Sequence, residues 1–351
     1  MDGQIAAILA GKRRKHLLAG MAVAAAIAVS VLLLLGMGAM ELGMAKTMGI
    51  LWGKLTGNRA LLETYRPNEI AVVWNIRLPR ILCALFVGMG LAAGGTIFQS
   101  LLRNPLADPY TLGVSTGAAF GVSLVIYLGL AYGVQIPAVP SAFLFAFLTL
   151  AMVILIAQKG GGMLSSSLII SGIIVSSIFS SGISFLKMLS GENVSAIVFW
   201  LMGSFSANTW TDVWTVVPMV LAGCILAFWF ANDLNVLTMG DDTALSLGVP
   251  VKRTRLFYLI LGSCMTAACV AVSGVIGFVG LVVPHILRFW LTSDNRVLLP
   301  LSALTGGLLL LLADSATRVF STGEIPVGVL TTLLGGPFFI FVYLRHSNGR
   351  G

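Results

Sequence analysis

Charged residues are scarce in this chain. They make up only 10% of its 351 residues, whereas hydrophobic residues make up 58%. A water-soluble domain covers its surface with about 25% charged residues, so this composition excludes a soluble protein. The apolar runs reach the length of about 20 residues that a helix needs to cross a bilayer. We therefore predict an all-α polytopic membrane protein.

Motifs for direct chemistry are missing as well. The chain has no G-x-x-x-x-G-K-[ST] phosphate loop, so we expect that it does not hydrolyse ATP itself. Its 4 cysteines lack the close spacing of a zinc site, and its 3 histidines form no cluster. No catalytic residue and no metal ligand is therefore predicted. The net charge of +8 comes from basic residues scattered at the ends of apolar runs, a pattern that indicates orientation signals and not nucleic-acid binding.

About ten apolar runs are predicted to cross the membrane. Their limits are 17–38, 80–102, 110–132, 137–157, 166–187, 212–231, 256–273, 277–291, 299–318 and 326–344. A basic cluster at 12–15 precedes the first run, which we interpret as a retained span. An even number of spans places both termini in the cytosol. Most of the 21 Lys and Arg residues then lie on the cytosolic side, as the positive-inside rule expects.

Two polar segments are long enough to carry a function. Residues 39–79 form an extracytoplasmic segment in this topology, and residues 232–255 form a cytosolic one. The cytosolic segment contains two short helical patterns that are interrupted by Gly240 and by Gly248. Glycine and proline commonly end helices at such positions. We predict a small helix–turn–helix here.

The stretch NIRLPR contains two arginines, Arg77 and Arg80, at the entry to the second span. The predicted topology places both outside, against the positive-inside tendency. The same span opens on RLPRILCALF, and the seventh span opens from the opposite side on RTRLFYLILG. This weak similarity between the second and seventh spans predicts an inverted internal repeat, which is a common plan among transporters.

Five stretches in order give the chain a family resemblance. They are RLPR, FQSLLRNPLADPYTLGVSTGAAFG, DDTALSLGV, GFVGLVVPHILR and LADSATRVFSTGEIPVGVLTTLLGGPFFIFVYLRH. Together they resemble the FecCD-type permease family of ABC importers, which carry iron–siderophore complexes, haem and vitamin B12. The resemblance implies one permease domain over residues 1–351, with the type II ABC importer architecture. It also implies a multi-pass location in the cytoplasmic membrane of a prokaryote.

The resemblance also implies partners. They are a second permease subunit, most commonly an identical copy, two ATPase subunits that use ATP and Mg, an extracytoplasmic substrate-binding protein, and membrane lipid. No cofactor is expected on this chain. The implied cargo is a metal chelate, with an iron(III)–siderophore favoured over vitamin B12 or haem. An ion-coupled secondary carrier is the more distant alternative, and it would need ionisable residues deep in its spans.

At the outer side, the resemblance assigns Arg77, Arg80 and Arg318 to docking of the substrate-binding protein. Guanidinium groups bind carboxylates in a bidentate way and fix their orientation. Asp314 lies one helical turn before Arg318, so these charges could instead pair within the chain. Charge reversal of Arg77 and Arg80 is expected to weaken docking while leaving the fold intact.

At the inner side, the resemblance assigns DDTALSLG to a coupling helix that presses into a cleft of the ATPase. The residues concerned are Asp241, Asp242, Ala244, Leu247 and Gly248. In this interpretation Ala244 allows close approach and Gly248 ends the helix. The alternative is an ordinary solvated loop.

Four further residues break the predicted spans on the cytosolic side. Asn104, Pro105 and Pro109 lie between the second and third spans, and Pro284 lies in the eighth. Proline disfavours helical backbone before it and lacks an N–H. A gate or a structural turn would each use such a break, and both interpretations stay open.

Overall fold

The computed structural model describes residues 2–37, 40, 42–160, 162–319 and 325–348. Residues 39 and 41 of the extracytoplasmic segment and residues 320–324 of the last family stretch lie outside it. Within the described residues the regular structure is helical, without strands. Eight helices there are long and apolar enough to cross a membrane. Two shorter apolar stretches are the helix Val279–Trp290 and the part Val327–Phe338 of the last helix. Together they correspond to the ten predicted spans, which confirms the all-α polytopic fold.

The helices are numbered in chain order. They are α1 Asp2–Gly36, α2 Met44–Thr56, α3 Arg59–Leu62, α4 Pro67–Ala71, α5 Leu78–Leu102, α6 Val114–Tyr132, α7 Ala138–Lys159, α8 Ser165–Leu189, α9 Val194–Leu201, α10 Trp210–Trp229, α11 Ala231–Thr238, α12 Asp241–Ser246, α13 Val251–Ser273, α14 Val279–Trp290, α15 Asn295–Val319 and α16 Val327–Asn348. A π-helical stretch, Val72–Arg77, joins α4 to α5, and a 3-10 turn, Gly191–Asn193, precedes α9.

Helix α5 is the centre of the bundle, and most of its side chains are buried. Helix α15 runs antiparallel along it, since Ser100 bonds Asn295 near one end and Arg80 bonds Asp314 near the other. Helix α13 packs antiparallel as well, with Cys269 beside Val87. We call the two ends of this bundle the Arg80 end, where α5 begins, and the Asp241 end, where α5 finishes.

Glycines permit close contacts at the centre of the bundle. A methyl group placed on Gly95 would lie 1.7 Å from the carbonyl oxygen of Gly280, at the start of α14. A methyl group on Gly88 would lie 2.3 Å from the carbonyl oxygen of Gly306 in α15. Small residues are the usual means by which membrane helices approach this closely. Helices α14 and α15 can therefore pack directly against the backbone of α5.

Two helices begin inside the bundle. Helix α14 starts beside Gly95, about 25 Å along α5 from Leu78 at 1.5 Å per residue. Helix α6 starts after a non-helical segment that returns into the bundle and places Pro109 against Gly94. The break before α6 follows α5 at the Asp241 end, and the break before α14 follows α13 at the Arg80 end. The two helix–break–helix units thus enter from opposite ends of the bundle, as the predicted inverted repeat requires.

The chain departs from two sequence expectations near these breaks. The break before α14 lies at residues 274–278, and Pro284 lies within the helix without ending it. The proline removes only the hydrogen bond to the carbonyl of residue 280, and the helix continues. The predicted extracytoplasmic segment is also largely helical, in α2 to α4 and the π-helical stretch.

The predicted helix–turn–helix at 232–255 is present. Helices α11 and α12 are separated by Gly240, whose φ of 119° is rarely adopted by other residues. Leu234, Leu237 and Ala244 are buried against the rest of the chain. The segment is therefore a folded extension of the bundle and not a solvated loop.

Candidate functional site

A cluster of charges lies at the Arg80 end. Asp314 is 1% exposed, and its two carboxylate oxygens accept three hydrogen bonds of 3.0–3.1 Å from the guanidinium of Arg80. The Nε atom of Arg318 lies 3.6 Å from the same carboxylate, and this side chain is 19% exposed. One carboxylate is thus shared by two arginines. The local pairing left open by the sequence is realised, and it includes Arg80 from a distant helix.

Arg77 is buried as well. Its Nη1 and Nη2 atoms donate to the carbonyl oxygens of Leu35 and Met40, at 2.8 and 2.6 Å. These bonds tie the start of α5 to the end of α1. Arg77 and Arg80 are thus part of the packed structure, so charge reversal at either position would disturb the fold. This differs from the expectation from the sequence that the fold stays intact, and both the effect on the fold and the docking role stay predictions.

A second cluster lies at the Asp241 end. Asp241 is the first residue of α12, and its carboxylate accepts bonds of 2.8 and 3.1 Å from Nη2 of Arg255 in α13. Nη2 of Arg103, just after α5, lies 3.4 Å from the same carboxylate. Nη1 of Arg255 donates to the carbonyl of Met163, in the connection between α7 and α8. Sequence reasoning singled out Asp241 but missed both arginines.

The remaining residues of the predicted coupling helix divide into buried and exposed positions. Ala244 is fully buried against this chain, whereas Leu247 is 60% exposed. Asp242 and Gly248 are exposed too, and Gly248 has a φ of 83° that ends the helix. Ala244 therefore fixes α12 to the permease and is not available for close approach by a partner. Leu245 in α12 and Leu247 directly after it, both 60% exposed, are the apolar side chains presented outward.

A further link at this end joins α11 to α15. Asn235 donates from Nδ2 to Asp294 at 2.7 Å and accepts from the backbone N–H of Asn295 at 2.8 Å. Arg296 also donates to the Asp294 carboxylate. The hydrogen bonds from Arg296, and then from Asn235, lower the pKa of Asp294 below its ordinary value. The helix–turn–helix is thereby bonded to two helices of the bundle.

The predicted gate or turn at 104–109 is a turn in the structure. Asn104 accepts from the N–H of Leu106 through its side-chain oxygen at 2.9 Å. Pro105 is exposed at this turn, whereas Pro109 is buried. The side chain of Asp108 accepts from the N–H of Thr111 at 2.9 Å. These local bonds account for the turn, and a gating role of this segment stays a prediction.

Helix α8 carries a polar stripe that sequence reasoning missed. Ser177, Ser181 and Ser184 are exposed on one face, and each hydroxyl donates to a carbonyl four residues earlier. Serine recurring at helical spacing within an apolar span is the signal that could have found it. We call this face the serine stripe. The stripe is a line of hydroxyl groups on an otherwise apolar span.

A cleft of about 490 Å³ opens near α9 and the start of α10. The hydrogen bond from Trp210 to the carbonyl of Trp74 places it at the Arg80 end. Its described lining includes aromatic and polar side chains but no lysine or arginine. They are Phe199, Trp200, Ser204, Ser206, Asn208, Asp212 and Ser273, with Ala207, Ala271, Val272 and Pro326. No group of three His, Cys, Asp or Glu side chains suited to a metal ion occurs among the described residues.

Comparison with known proteins gives consistent matches. The FecCD transport family matches residues 4–345. The cobalamin import system permease protein BtuC of Halobacterium salinarum is 41% identical and covers 84% of this chain and 79% of its own length. The hemin transport system permease protein HmuU of Yersinia pestis is 40% identical, with 83% and 89% covered. Other relatives are named for molybdate import and for Fe(3+) dicitrate transport.

A solved structure agrees with these matches. It is described as an inward-facing conformation of a metal-chelate type ABC transporter. It is 34% identical to this chain and superposes with a TM-score of 0.79. The match covers 92% of this chain and 98% of that structure. The helical arrangement described above is therefore shared by a transporter over nearly its whole length.

Proposed function

Because the chain belongs to the FecCD transport family of ABC importer permeases, we propose that it carries a metal chelate across the cytoplasmic membrane of a prokaryote. The favoured cargo is an iron(III)–siderophore that a substrate-binding protein delivers to the Arg80 end. Vitamin B12 and haem are the alternatives of the same class. Family membership decides against the ion-coupled carrier.

The cleft at the Arg80 end is the observation that supports an organic chelate. Its described lining offers hydroxyl and amide groups beside two aromatic rings, and its one charged side chain is Asp212. A small oxyanion such as molybdate would need cationic groups or several converging N–H donors. The one amide side chain in this lining, Asn208, already donates to the Val272 carbonyl, and the acidic side chain would repel an anion. A bulky chelate has both polar and apolar surface, which this lining can contact.

The serine stripe supports a second permease subunit. The hydroxyl groups of Ser177, Ser181 and Ser184 would face lipid if the chain acted alone. Polar side chains in membrane spans usually face a partner helix or a water-filled path. Two copies that meet along α8 would enclose such a path. A homodimer is therefore the proposed assembly, with the cargo passing along the serine stripe.

The Asp241 end is the proposed site of the two ATPase subunits, which would bring ATP and Mg. Helix α12 exposes Leu247 and Leu245, whereas Ala244 holds the helix on the bundle. An apolar ridge on a folded base is suited to fill a cleft on another protein. This assignment makes the Asp241 end cytosolic, and both termini are proposed to lie on that side.

The Arg80 end is then the docking side for the substrate-binding protein. Arg318 is the most accessible of the three predicted arginines, so it is the first candidate for a bidentate contact with a partner carboxylate. Arg80 shares Asp314 with it and supports its position. Arg77 would contribute indirectly, because its bonds to the Leu35 and Met40 carbonyls fix the position at which α5 begins.

Uptake by cells that lack this gene tests the proposal. Labelled ferric siderophores, haemin, cobalamin and molybdate are offered in parallel, with the wild-type gene as the restoring control. Loss of uptake of one ferric siderophore supports the favoured cargo. Loss of molybdate uptake alone would overturn the chelate assignment. Failure of a tagged chain to copurify an ATPase subunit would contradict the proposed assembly.

A further inference from the structure

Arg255 divides its guanidinium between two separate parts of the chain. Nη2 donates to the carboxylate of Asp241 at 2.8 Å, while Nη1 donates to the backbone carbonyl of Met163. The side chain is only 3% exposed, although it lies in the first turns of α13, at the end of the bundle. A buried guanidinium that is bonded at both Nη atoms has little freedom to move alone.

The two acceptors belong to segments with different proposed tasks. Asp241 begins α12, which is the proposed contact of the ATPase. Met163 lies two residues before Ser165, where α8 begins, and α8 carries the serine stripe. We infer that Arg255 is a positioning residue that couples displacement of α12 to displacement of the start of α8. This inference rests on the proposed importer function.

The chemistry of the side chain explains why arginine is needed. Guanidinium is planar and presents its donors in a fixed fork, so it can bond two acceptors in different directions at once. A lysine ammonium is a flexible point charge and would be expected to follow the carboxylate. Replacement of Arg255 by lysine should therefore keep the ion pair but loosen the link to the Met163 carbonyl.

Arg103 offers a matched comparison. It approaches the same Asp241 carboxylate at 3.4 Å, but its side chain is 37% exposed. Among the described residues, Arg103 forms an ion pair with Asp241. The hydrogen bond to the Met163 carbonyl, in the connection before α8, comes from Arg255. Arg103→Gln thus removes a positive charge from the same carboxylate while the bridge remains. Arg253→Gln, an exposed change two residues from Arg255, controls for net charge.

The first measurement needs no partner protein. Spin labels are attached in nanodiscs at Leu164→Cys and Leu247→Cys, which replace exposed leucines on the two sides of the bridge. The 4 native cysteines are replaced by alanine. We expect a narrow distance distribution in the parent chain, with Arg103→Gln and with Arg253→Gln. We expect a broader one with Arg255→Gln and with Arg255→Lys. An unchanged distribution in both Arg255 variants would overturn the inference.

The second measurement follows α8 in the complex with ATPase subunits. A membrane-impermeant maleimide reacts with Ser177→Cys, in the nucleotide-free state and after trapping with ATP and vanadate. We expect the change in labelling rate between the two states to fall about fivefold or more with Arg255→Gln, in the range of measured coupling between sites. Arg103→Gln should retain that change. Retention by Arg255→Gln as well would overturn the coupling role.

The two measurements separate the possible failures. If the ATPase copurifies but nucleotide does not change labelling in the parent chain, the coupling inference fails while the importer assembly stands. If no ATPase copurifies, the proposed assembly fails, and the spin-label distances still decide whether the bridge exists. If Arg255→Gln does not fold, Arg255→Lys keeps the test open because it preserves the charge. A purely structural role would lower stability in both Arg255 variants, but folded protein would keep the parent distance distribution.

Discussion

Removal of the Asp314 charge should destabilise the fold more than removal of any exposed charge at the Arg80 end. Asp314→Asn keeps the size of the side chain but takes away the carboxylate that Arg80 and Arg318 share. The carboxylate is 1% exposed and accepts three bonds from Arg80. Breaking one partner of a buried ion pair costs about 3–5 kcal/mol. We expect about 3 kcal/mol, because Arg318 can turn towards solvent.

Two comparison variants make this value testable. Arg318→Gln removes a longer contact of 3.6 Å from a partly exposed side chain, so it should cost about 1 kcal/mol or less. The double change Arg80→Met with Asp314→Leu removes both buried charges, and apolar replacement of a buried pair is often neutral. Its cost should therefore be well below the sum of the two single changes, as expected for residues in contact.

The assay is equilibrium unfolding in mixed micelles of dodecyl sulfate and a mild detergent, followed by circular dichroism. The free energy of unfolding is compared among Asp314→Asn, Arg318→Gln, the double variant, its two single changes Arg80→Met and Asp314→Leu, and the parent chain. Equal costs for Asp314→Asn and Arg318→Gln would refute the reasoning. A double variant whose cost equals the sum of its single changes would show that Arg80 and Asp314 do not interact.

Three further predictions concern the centre and the Asp241 end. Gly95→Ala should severely reduce the yield of folded protein in detergent extracts, because its methyl group would lie 1.7 Å from the Gly280 carbonyl oxygen. Gly94→Ala should be tolerated in the same assay, because the nearest atom would lie 3.5 Å from its methyl group. Leu247→Glu should release the ATPase in copurification while thermal stability of the permease is unchanged. Asp294→Asn should cost about 1 kcal/mol or less at neutral pH. Because the folded pKa of Asp294 is lowered, that difference should vanish as the pH falls through the folded value.

Much of the architecture could be predicted from the sequence because bilayer thickness fixes helix length. The ten apolar runs match helices, and the glycines at 240 and 248 mark the limits of α12. The apolar run at 277–291 is shorter than a membrane-crossing helix, and the structure gives the physical reason. Helix α14 starts inside the bundle, where Gly280 meets the backbone of α5, so a full membrane length is not needed.

The partners of the charged residues could not be predicted. Arg80 and Asp314 are 234 residues apart, and nothing local indicates that α5 and α15 bring them together. The Met163 carbonyl that Arg255 bonds is a backbone group, so its side chain gives no signal. Helical spacing placed Ala244 and Leu247 on one short helix, but only packing shows that Ala244 faces the chain and Leu247 faces outward.

The two breaks in the helices bear on where a cargo can pass. Non-helical backbone within a membrane must be surrounded by protein or line a water-filled cavity. Here the segment before α6 places Pro109 beside Gly94 of α5, and Gly280 in the first turn of α14 lies against the adjacent Gly95. The centre of a single chain is therefore filled by its own backbone. The proposed path for a chelate would therefore run along an outer face, and the serine stripe of α8 is a polar face that a second copy could enclose.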